Sequence, residues 1–396
     1  MPVLLFIYLA TEILAPFFAS LIILNIVLFM GRLVPFLETI FDLRIGVADF
    51  FRICAYLAPN LLLFSIPMAS MMAVIISFTR LTGDNEILAL KAAGVGISRM
   101  VMPVAVFALC TAVLTGASST RLIPEGTVAL KRLLFQMAKE KIDRGLQEQQ
   151  FSESLGDVVL YIDHIDRDSG RWHGVYASDL RLPEKPVTIM ATTGAIEPDI
   201  ANMHLTLTLE EGTMHRSEGE VAQTIRFGRY VLDLPLQAPT MVAGETVNGV
   251  DRSALTQNEL RREVKRLGPE SPLTLGYTIE YHLRLVLPVG CFILTLLGLP
   301  MALRSRPGRR PLGLPLGLLA FVVYYVLITA GKSLAEGGAL PVVPAMWMPN
   351  LIFAALAGLL FRLTALESGG VLVDRLLDGF AAAGRLLSRA KGRDDA

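Results

Sequence analysis

Residues 204–210 have the sequence His-Leu-Thr-Leu-Thr-Leu-Glu, in which every second side chain is apolar. Such alternation is typical of a β-strand with one buried face. Other segments nearby have strand-like composition and are separated by turn residues such as Asp168-Ser169-Gly170. We predict strands at 157–165, 173–182, 187–191, 204–210 and 224–234. Repeated short strands with polar turns indicate an all-β sandwich or open barrel.

These strands lie inside a polar insert, residues 121–272, that has apolar runs on both sides. A membrane-spanning helix needs about 20 mostly apolar residues. Three runs of about this length precede the insert and three follow it. They are 13–31, 51–78, 100–117, 283–303, 312–330 and 345–361.

The predicted fold is therefore a bundle of six membrane helices with an all-β domain inserted between the third and fourth. We divide the chain into residues 1–120, 121–272, 273–364 and a tail, 365–396. Two further helices are predicted at the edges of the insert, over 130–150 and 257–267.

Composition supports a membrane protein and excludes several other classes. Hydrophobic residues make up 53% of the chain and charged residues 18%, against about 25% charged residues in soluble domains. The net charge is zero, which gives no bulk attraction to nucleic acid. The three cysteines all fall in apolar runs, so the insert has no disulfide framework. The histidines have no metal-ligand spacing, and we expect neither metal nor cofactor.

Short basic segments predict the orientation. One is the loop after the fourth run, and the other is the tail. Loops rich in Lys and Arg stay in the cytoplasm. Six spans place both segments on the same side, so both termini are expected inside and the insert outside. We expect the first run to be a retained span, since a basic leader and a small-residue cleavage site are lacking. The loop's cations are Arg304, Arg306, Arg309 and Arg310.

The inward turn between the second and third spans predicts a short helix at about 82–94. Asp84 is a suitable N-cap, Glu86 would lie in the first turn, and Gly94 fits the position just past the end. An amphipathic helix of about three turns follows from the 3.6-residue period. Two interpretations stay open from the residues alone: an interfacial turn without further role, or a docking helix for a soluble partner.

Three motifs together resemble the LptF/LptG permease family. The first is Arg80-Leu81 followed by Asn85-Glu86-Ile87 and, after one residue, Ala89-Leu90-Lys91-Ala92. The second is His282-x-Arg284-Leu285 with Gly298-Leu299-Pro300 and the basic loop, and the third is the segment 345–350, Ala-Met-Trp-Met-Pro-Asn. The resemblance covers the whole chain. Within the family, residues 31–37 resemble LptF more than LptG.

The resemblance implies a permease subunit of the lipopolysaccharide export transporter in the inner membrane of a Gram-negative bacterium. Its implied partners are a related LptG-like permease, a dimeric cytoplasmic LptB-like ATPase and a periplasmic bridge of LptC/LptA-like proteins. The insert would be a periplasmic β-jellyroll that begins the bridge. The ATPase-coupling residues would be Asp84, Glu86, Ile87, Leu88 and Leu90.

Cations at the predicted outer ends of two spans are candidate substrate ligands. Arg32 follows the first apolar run and Lys332 the fifth. Charges at this depth either snorkel to the surface or pair with an anion. Lipopolysaccharide carries phosphates, and the family's basic residues on the first and fifth spans favour binding by Arg32 and Lys332. Arg44, in the loop predicted at 36–49, is a third candidate.

Enzymatic activity and a different cargo are the alternatives. Gly331-Lys332-Ser333 imitates the end of a phosphate loop, but Val326 occupies the place of its first glycine. ATP must then be hydrolysed by a partner. An intramembrane hydrolase would have to use Glu280 with His282, or Ser333 with Lys332, and neither pair forms a positioned nucleophile and base. We expect Glu280 and Arg284 to form an i, i+4 pair. A permease or tether for lipoproteins is the other alternative.

Overall fold

The computed structural model describes residues 3–43, 46–145, 148–152, 158–166, 171–179, 187–199, 204–218, 221–235, 246–247, 250–268, 271–303 and 313–365. By contact the chain divides into two compact units. One contains Met1–Leu33, Ala58–Glu125 and Glu245–Ala396, and the other contains Val34–Leu57 and Gly126–Gly244.

Within the described part of the chain, six helices are long and apolar enough to cross a membrane, which confirms the predicted spans. Each helix extends beyond the apolar run that predicted it, because a helix continues through polar residues once its core is packed. Residues 36–43 are therefore helical, so the predicted loop 36–49 is wrong over most of its length. The six helices are α1 (Val3–Leu43), α2 (Val47–Gly83), α4 (Ile97–Ala117), α7 (Pro272–Leu303), α8 (Gly313–Glu336) and α9 (Val342–Ala365).

The third span continues into a long polar helix. Helix α4 passes through a π-helical turn, Ser118–Leu122, into α5, Ile123–Gly145. The predicted helix 130–150 therefore starts earlier and ends at Gly145. A π turn adds a residue to the helical repeat and is usually held by an outside contact. Here the Ser119 hydroxyl donates to the backbone carbonyl of Arg284, at 3.0 Å.

Helix α7 has the most helix neighbours in the first unit. It contacts α4, α8 and α9. A buried hydrogen-bonded chain links α7 with two of them: the Tyr324 hydroxyl donates to Asn350 Oδ1 at 2.8 Å, and Asn350 Nδ2 donates to the Val286 carbonyl at 3.0 Å. Because buried polar groups need partners, this chain fixes the mutual position of α7, α8 and α9.

The inserted segment forms an antiparallel sheet whose strands follow one another in chain order. This meander confirms the predicted all-β insert, while the jellyroll remains a prediction. The strands are β1 (Phe151–Ser152), β2 (Val158–Ile165), β3 (Trp172–Asp179), β4 (Val187–Asp199), β5 (His204–Glu218) and β6 (Val221–Pro235). A separate two-stranded ribbon, β7 (Thr246–Val247) and β8 (Val250–Asp251), precedes helix α6 (Gln257–Leu267), which has the predicted bounds.

A crease crosses the sheet from β2 to β6. The ladder skips the positions of Asp163, Gly174, Thr192, Glu211 and Gly228, which face one another on successive strands. Gly174 and Glu211 have positive φ angles of 62° and 52°. The alternation of buried and exposed residues along β4 shifts by one residue here. Ile189 and Ala191 are buried before the crease, and Gly194 is buried after it. The buried residues before the crease and those after it therefore belong to one apolar core.

Candidate coupling helix and cation sites

Helix α3 (Glu86–Ala92) is the short helix between the second and third spans. It has seven residues, so the predicted three turns are wrong. Helix α2 continues to Gly83, which takes up the first residues of the predicted segment. The N-cap is Asn85 in the left-handed conformation, with φ 59°, and it makes no side-chain cap bond. Asp84 is thus a turn residue and does not cap α3.

The end of α3 is as predicted. Gly94 has φ +81°, a conformation that glycine adopts at little cost. Its amide donates to the Lys91 carbonyl at 3.0 Å, and the Val95 amide donates to the Leu90 carbonyl at 2.9 Å. This pair of bonds is a Schellman motif, which satisfies the last carbonyls of a helix. It turns the chain sharply into α4.

Helix α3 has a buried side and an exposed side. Ile87 is 5% exposed and packs in a cluster with Leu9, Phe78, Leu81 and Met100 of the adjacent spans. Leu88, the next residue, is 65% exposed. A buried isoleucine anchors the helix, while an exposed leucine presents apolar surface that a partner could cover.

Polar contacts hold α3 and the end of α2 against α1. The Tyr8 hydroxyl donates to Glu86 Oε2 at 2.6 Å. Arg80 forms an ion pair with Glu12, and the Ser77 hydroxyl donates to the Glu12 backbone carbonyl at 2.9 Å. Sequence reasoning missed Tyr8, Glu12 and Arg80 as a group. The available signal was Glu12, a lone acid inside an apolar helix, where a charge needs a partner.

Of the three candidate substrate cations, the structure describes the surroundings of Lys332. Its Nζ lies 3.7 Å from Glu336 Oε1, one turn later on α8, and both side chains are about one third exposed. Helix α8 ends at Glu336, six residues beyond the predicted end of the span at 330. Arg32 lies within α1 in the part without described side chains, and Arg44 is outside the described residues. The predicted basic loop, 304–310, is also outside them.

The motif residues of the second half make structural contacts. Arg284 is 3% exposed and its Nε donates to Glu280 Oε1 at 2.8 Å, which confirms the predicted pair. Its other nitrogens donate to the backbone carbonyls of Leu255, Arg252 and Ser253, at 2.6, 3.1 and 3.2 Å. This arginine therefore ties the segment before α6 to α7.

The residues considered for hydrolysis are engaged elsewhere. The Trp347 indole donates to His282 Nδ1 at 3.4 Å, and Glu280 is held by Arg284. Lys332 pairs with Glu336. Among the described residues, no group of three His, Cys, Asp or Glu side chains is arranged to hold a metal ion. His282 and Glu280 therefore both have structural partners on α7 and α9.

Comparison with known proteins gives a consistent assignment. Residues 7–363 match the family described as "Lipopolysaccharide export system permease LptF/LptG". The lipopolysaccharide export system permease protein LptF of Escherichia coli K12 is 22% identical over 357 residues, which covers 88% of this chain and 92% of that protein. An uncharacterized protein of Rickettsia prowazekii, RP871, is 22% identical over 293 residues, covering 72% of this chain and 78% of its own length.

The match spans the six membrane helices and the inserted sheet alike, so it concerns the whole architecture and not one module. It also includes α3 and the contacts of Arg284. From this extent of similarity, the chain belongs to the LptF/LptG family of lipopolysaccharide export system permeases.

Proposed function

We propose that this chain is the LptF-type permease subunit of a lipopolysaccharide exporter. It would take lipopolysaccharide from the inner membrane and pass it to a β-jellyroll bridge that leads to the outer membrane. The observation that carries this proposal is the family match over residues 7–363, together with an LptF relative aligned over 92% of its length. Six apolar helices with an inserted antiparallel sheet fit a transporter that passes cargo from a bilayer to a soluble domain.

Helix α3 would receive force from a cytoplasmic ATPase, the LptB-like dimer. Its buried side is fixed to three spans through Ile87, and Glu86 is bonded to Tyr8 of α1. A displacement of α3 would therefore reach α1 and α2 directly. The exposed Leu88 supplies apolar surface for the partner, and Asp84 is exposed just before the helix, while Leu90 packs partly against the buried cluster. An LptG-like permease would complete the membrane part.

The inserted sheet would project into the periplasm and contact LptC/LptA-like proteins. Support comes from the sequence, where the basic loop and basic tail fall on the opposite side from the insert. Short basic loops remain cytoplasmic. Its continuous apolar core and crease suit a jellyroll, in which two halves of a bent sheet face each other.

Arg32, Lys332 and Arg44 would bind the phosphates of the substrate. Guanidinium groups form paired hydrogen bonds with phosphate, and an ammonium supplies a compact charge. Lys332 is one-third exposed near the end of α8, and a phosphate could replace or share its contact with Glu336. The ion pair is partly solvated, so its rearrangement costs little.

The test is purification of the tagged chain from its own membranes in mild detergent, followed by mass spectrometry of proteins and lipids. We expect an ATPase, a second permease and lipopolysaccharide. Leu88→Asp should reduce the recovered ATPase at least severalfold, because it places a charge at the proposed contact. Ile225→Asp, on an exposed position of β6, is the matched control and should leave ATPase recovery unchanged.

Two results would contradict the proposal. Lipoproteins recovered in place of lipopolysaccharide would favour the lipoprotein-permease alternative. Full ATPase recovery with Leu88→Asp and with Glu86→Ala would make α3 an interfacial turn without a docking role. The identity of the co-purified lipid would then be the remaining test of lipopolysaccharide transport.

A further inference from the structure

Helix α6 has one basic face that the transport proposal does not use. Its four basic and two acidic residues give an excess of positive charge in 11 residues. Asn258, Arg261, Arg262 and Lys265 follow the i, i+3, i+4, i+7 spacing of one helix face. They are all exposed and line an open groove of about 400 Å³.

The opposite face of α6 is already covered. Leu260 is 0% exposed, and Val264 and Leu267 on the same side are half-buried. Helix α6 packs on α7, and the Gln257 amide donates to the Tyr281 carbonyl at 3.0 Å. Because the apolar face of α6 is buried against the rest of the chain, α6 cannot insert that face into a bilayer. What it offers to a ligand is charge.

The two acids of α6 have defined partners. Glu259 accepts from the Thr256 amide and hydroxyl, both at 2.8 Å, in a capping box at the start of the helix. Glu263 lies 2.7 Å from Arg266, which is not among the residues that line the groove. Arg262 adds a smaller electrostatic interaction with Glu259. The groove itself is lined by three cations and one amide.

The position of α6 relative to the membrane defines the ligand. The Gln257 side chain of α6 bonds the Tyr281 carbonyl of α7, two residues before the apolar run 283–303 begins. This contact keeps the start of α6 at the level where the chain enters the bilayer. Lipid phosphates lie at that level, and a basic helix there binds anionic headgroups electrostatically.

We infer that the face formed by Asn258, Arg261, Arg262 and Lys265 binds the phosphate of an anionic lipid headgroup at the membrane surface. The ligand chemistry is a phosphate monoester or diester with a net negative charge on the headgroup, as opposed to a zwitterionic one, and with a lipid tail in the adjacent leaflet. The site rests on α7 crossing the membrane and does not require that lipopolysaccharide be the cargo. The bound lipid would hold the N-terminal end of α7, which follows the inserted sheet in the chain, at the membrane surface.

The experiment is native mass spectrometry of the full chain in detergent, titrated with phosphatidylglycerol, lipid A or phosphatidylcholine. Wild type should retain the two phosphate-bearing anionic lipids in preference to zwitterionic phosphatidylcholine. Arg261→Gln with Arg262→Gln should weaken this retention about 25-fold, at roughly fivefold per charge. Arg226→Gln with Arg229→Gln is the control, because both arginines are exposed on β6 and removing them changes the net charge equally.

Competition with inorganic phosphate distinguishes lipid phosphate from free phosphate, and a charge-conserving variant pair controls for a folding defect. Inorganic phosphate alone should compete weakly, and complete displacement of lipid by it would make the site one for free phosphate and overturn the proposal. The pair Arg261→Lys and Arg262→Lys should restore retention, since charge is kept. In wild type, retention should fall as salt rises.

Three results contradict a headgroup site. The first is equal retention of anionic lipid by the glutamine pair and by the β6 control. The second is wild-type retention that does not change with salt. The third is loss of a co-purified acidic protein from the glutamine pair with lipid retention unchanged, which would make the face a protein interface.

Discussion

Arg284 carries a buried charge whose partners come from two places in the chain. Its contact with Glu280 is local, four residues away, and was predictable from helix spacing. Its contacts with carbonyls of residues 252–255 are not local, because they depend on how the segment before α6 folds back. Sequence periodicity contains no signal for such contacts. The same holds for Tyr8 and Glu86, which are 78 residues apart.

Arg284→Gln should lower the free energy of unfolding by about 3–5 kcal/mol, as expected when one partner of a buried pair is removed. The loss has two parts, an unpaired Glu280 and backbone carbonyls without their donor. Thermal unfolding of the purified chain in detergent measures it. Arg266→Gln removes an exposed pair with Glu263 and should cost under about 1 kcal/mol. Equal effects of the two changes would show that the Arg284 contacts contribute little.

Arg32→Glu should reduce the stimulation of ATP hydrolysis by lipopolysaccharide in the reconstituted complex, because it replaces the cation proposed to bind phosphate with a repelling charge. Basal hydrolysis should be retained, since Arg32 is remote in sequence from α3. Arg32→Lys is the control and should keep most of the stimulation. Undiminished stimulation with the glutamate variant would remove Arg32 from the substrate site.

Helix α3 shows what propensity can and cannot predict about an element. Its end was predictable because Gly94 is the residue type that a left-handed position favours. Its start was not, because Asp84 and Asn85 are both acceptable cap residues and the choice depends on where α2 ends. Helix α2 runs to Gly83, since its packed face continues through Leu81. Two turns remain for α3 where the sequence allows three.

Gly94→Ala should destabilise the α3–α4 turn by about 1–2 kcal/mol, the cost of a left-handed conformation for a residue with a Cβ. No atom lies within 4 Å of the added Cβ, so the cost is conformational and not steric. Gly83→Ala is a matched control: it also meets no atom within 4 Å, but its φ is not positive. That change should be neutral or slightly stabilising. Hydrogen exchange of the α3 amides measures both, and equal protection in the two variants would contradict the turn geometry.

The capping box of α6 should make this helix sensitive to acid. Hydrogen bonds from the Thr256 amide, and next from its hydroxyl, lower the pKa of Glu259. A carboxyl with a lowered pKa stabilises the folded helix above its unfolded pKa, and that contribution is lost as pH falls through the folded value. Protection of α6 amides should therefore decrease between about pH 6 and pH 3.

Glu259→Gln should remove this pH dependence, because a glutamine still accepts the cap bond but does not titrate. Glu263→Gln, on the same helix and paired with Arg266, should leave it in place. Hydrogen-exchange protection factors across the pH range distinguish the two. A wild-type profile for Glu259→Gln would show that another group controls the acid response.

The crease explains why two strands were predicted too short. The predicted strands 187–191 and 204–210 end where the crease begins, next to Thr192 and Glu211. Alternation shifts by one residue at that line, so a period-two pattern stops although the strand continues. Strands β4 and β5 in fact run to Asp199 and Glu218. A period-two search cannot find a strand that changes its inward side.

At the scale of the molecule, the number and place of the membrane helices were predictable because lipid requires long uninterrupted apolar runs. The inserted sheet was predictable from alternation between the two groups of spans. The candidate substrate site was not, because isolated cations such as Arg32 and Lys332 have no periodic signal and depend on helix rotation. The resemblance of three motifs to one family provided the functional assignment.

Protease added to intact spheroplasts should cut the inserted sheet and leave the arginine-rich tail, residues 365–396, undigested. The reason is the position of the basic segments, which short-loop charge statistics place in the cytoplasm. Antibodies against the two ends of the insert and against the tail give the readout. Permeabilised cells are the control, in which the tail should also be cut. Digestion of the tail alone in intact spheroplasts would reverse the orientation and contradict export.

The segment that leads into the insert and the segment that leads out of it both contact Arg284 of α7. Ser119, in the π turn, binds the Arg284 carbonyl, while the Arg284 guanidinium holds the carbonyls of residues 252–255. Helices α4 and α7 also pack directly, with Gly116 against Pro288. The two helices that flank the insert, α4 and α7, are thus joined by contacts that do not involve the inserted sheet. A domain inserted at such a junction can be replaced by another without disturbing the packing of the helices on either side of it.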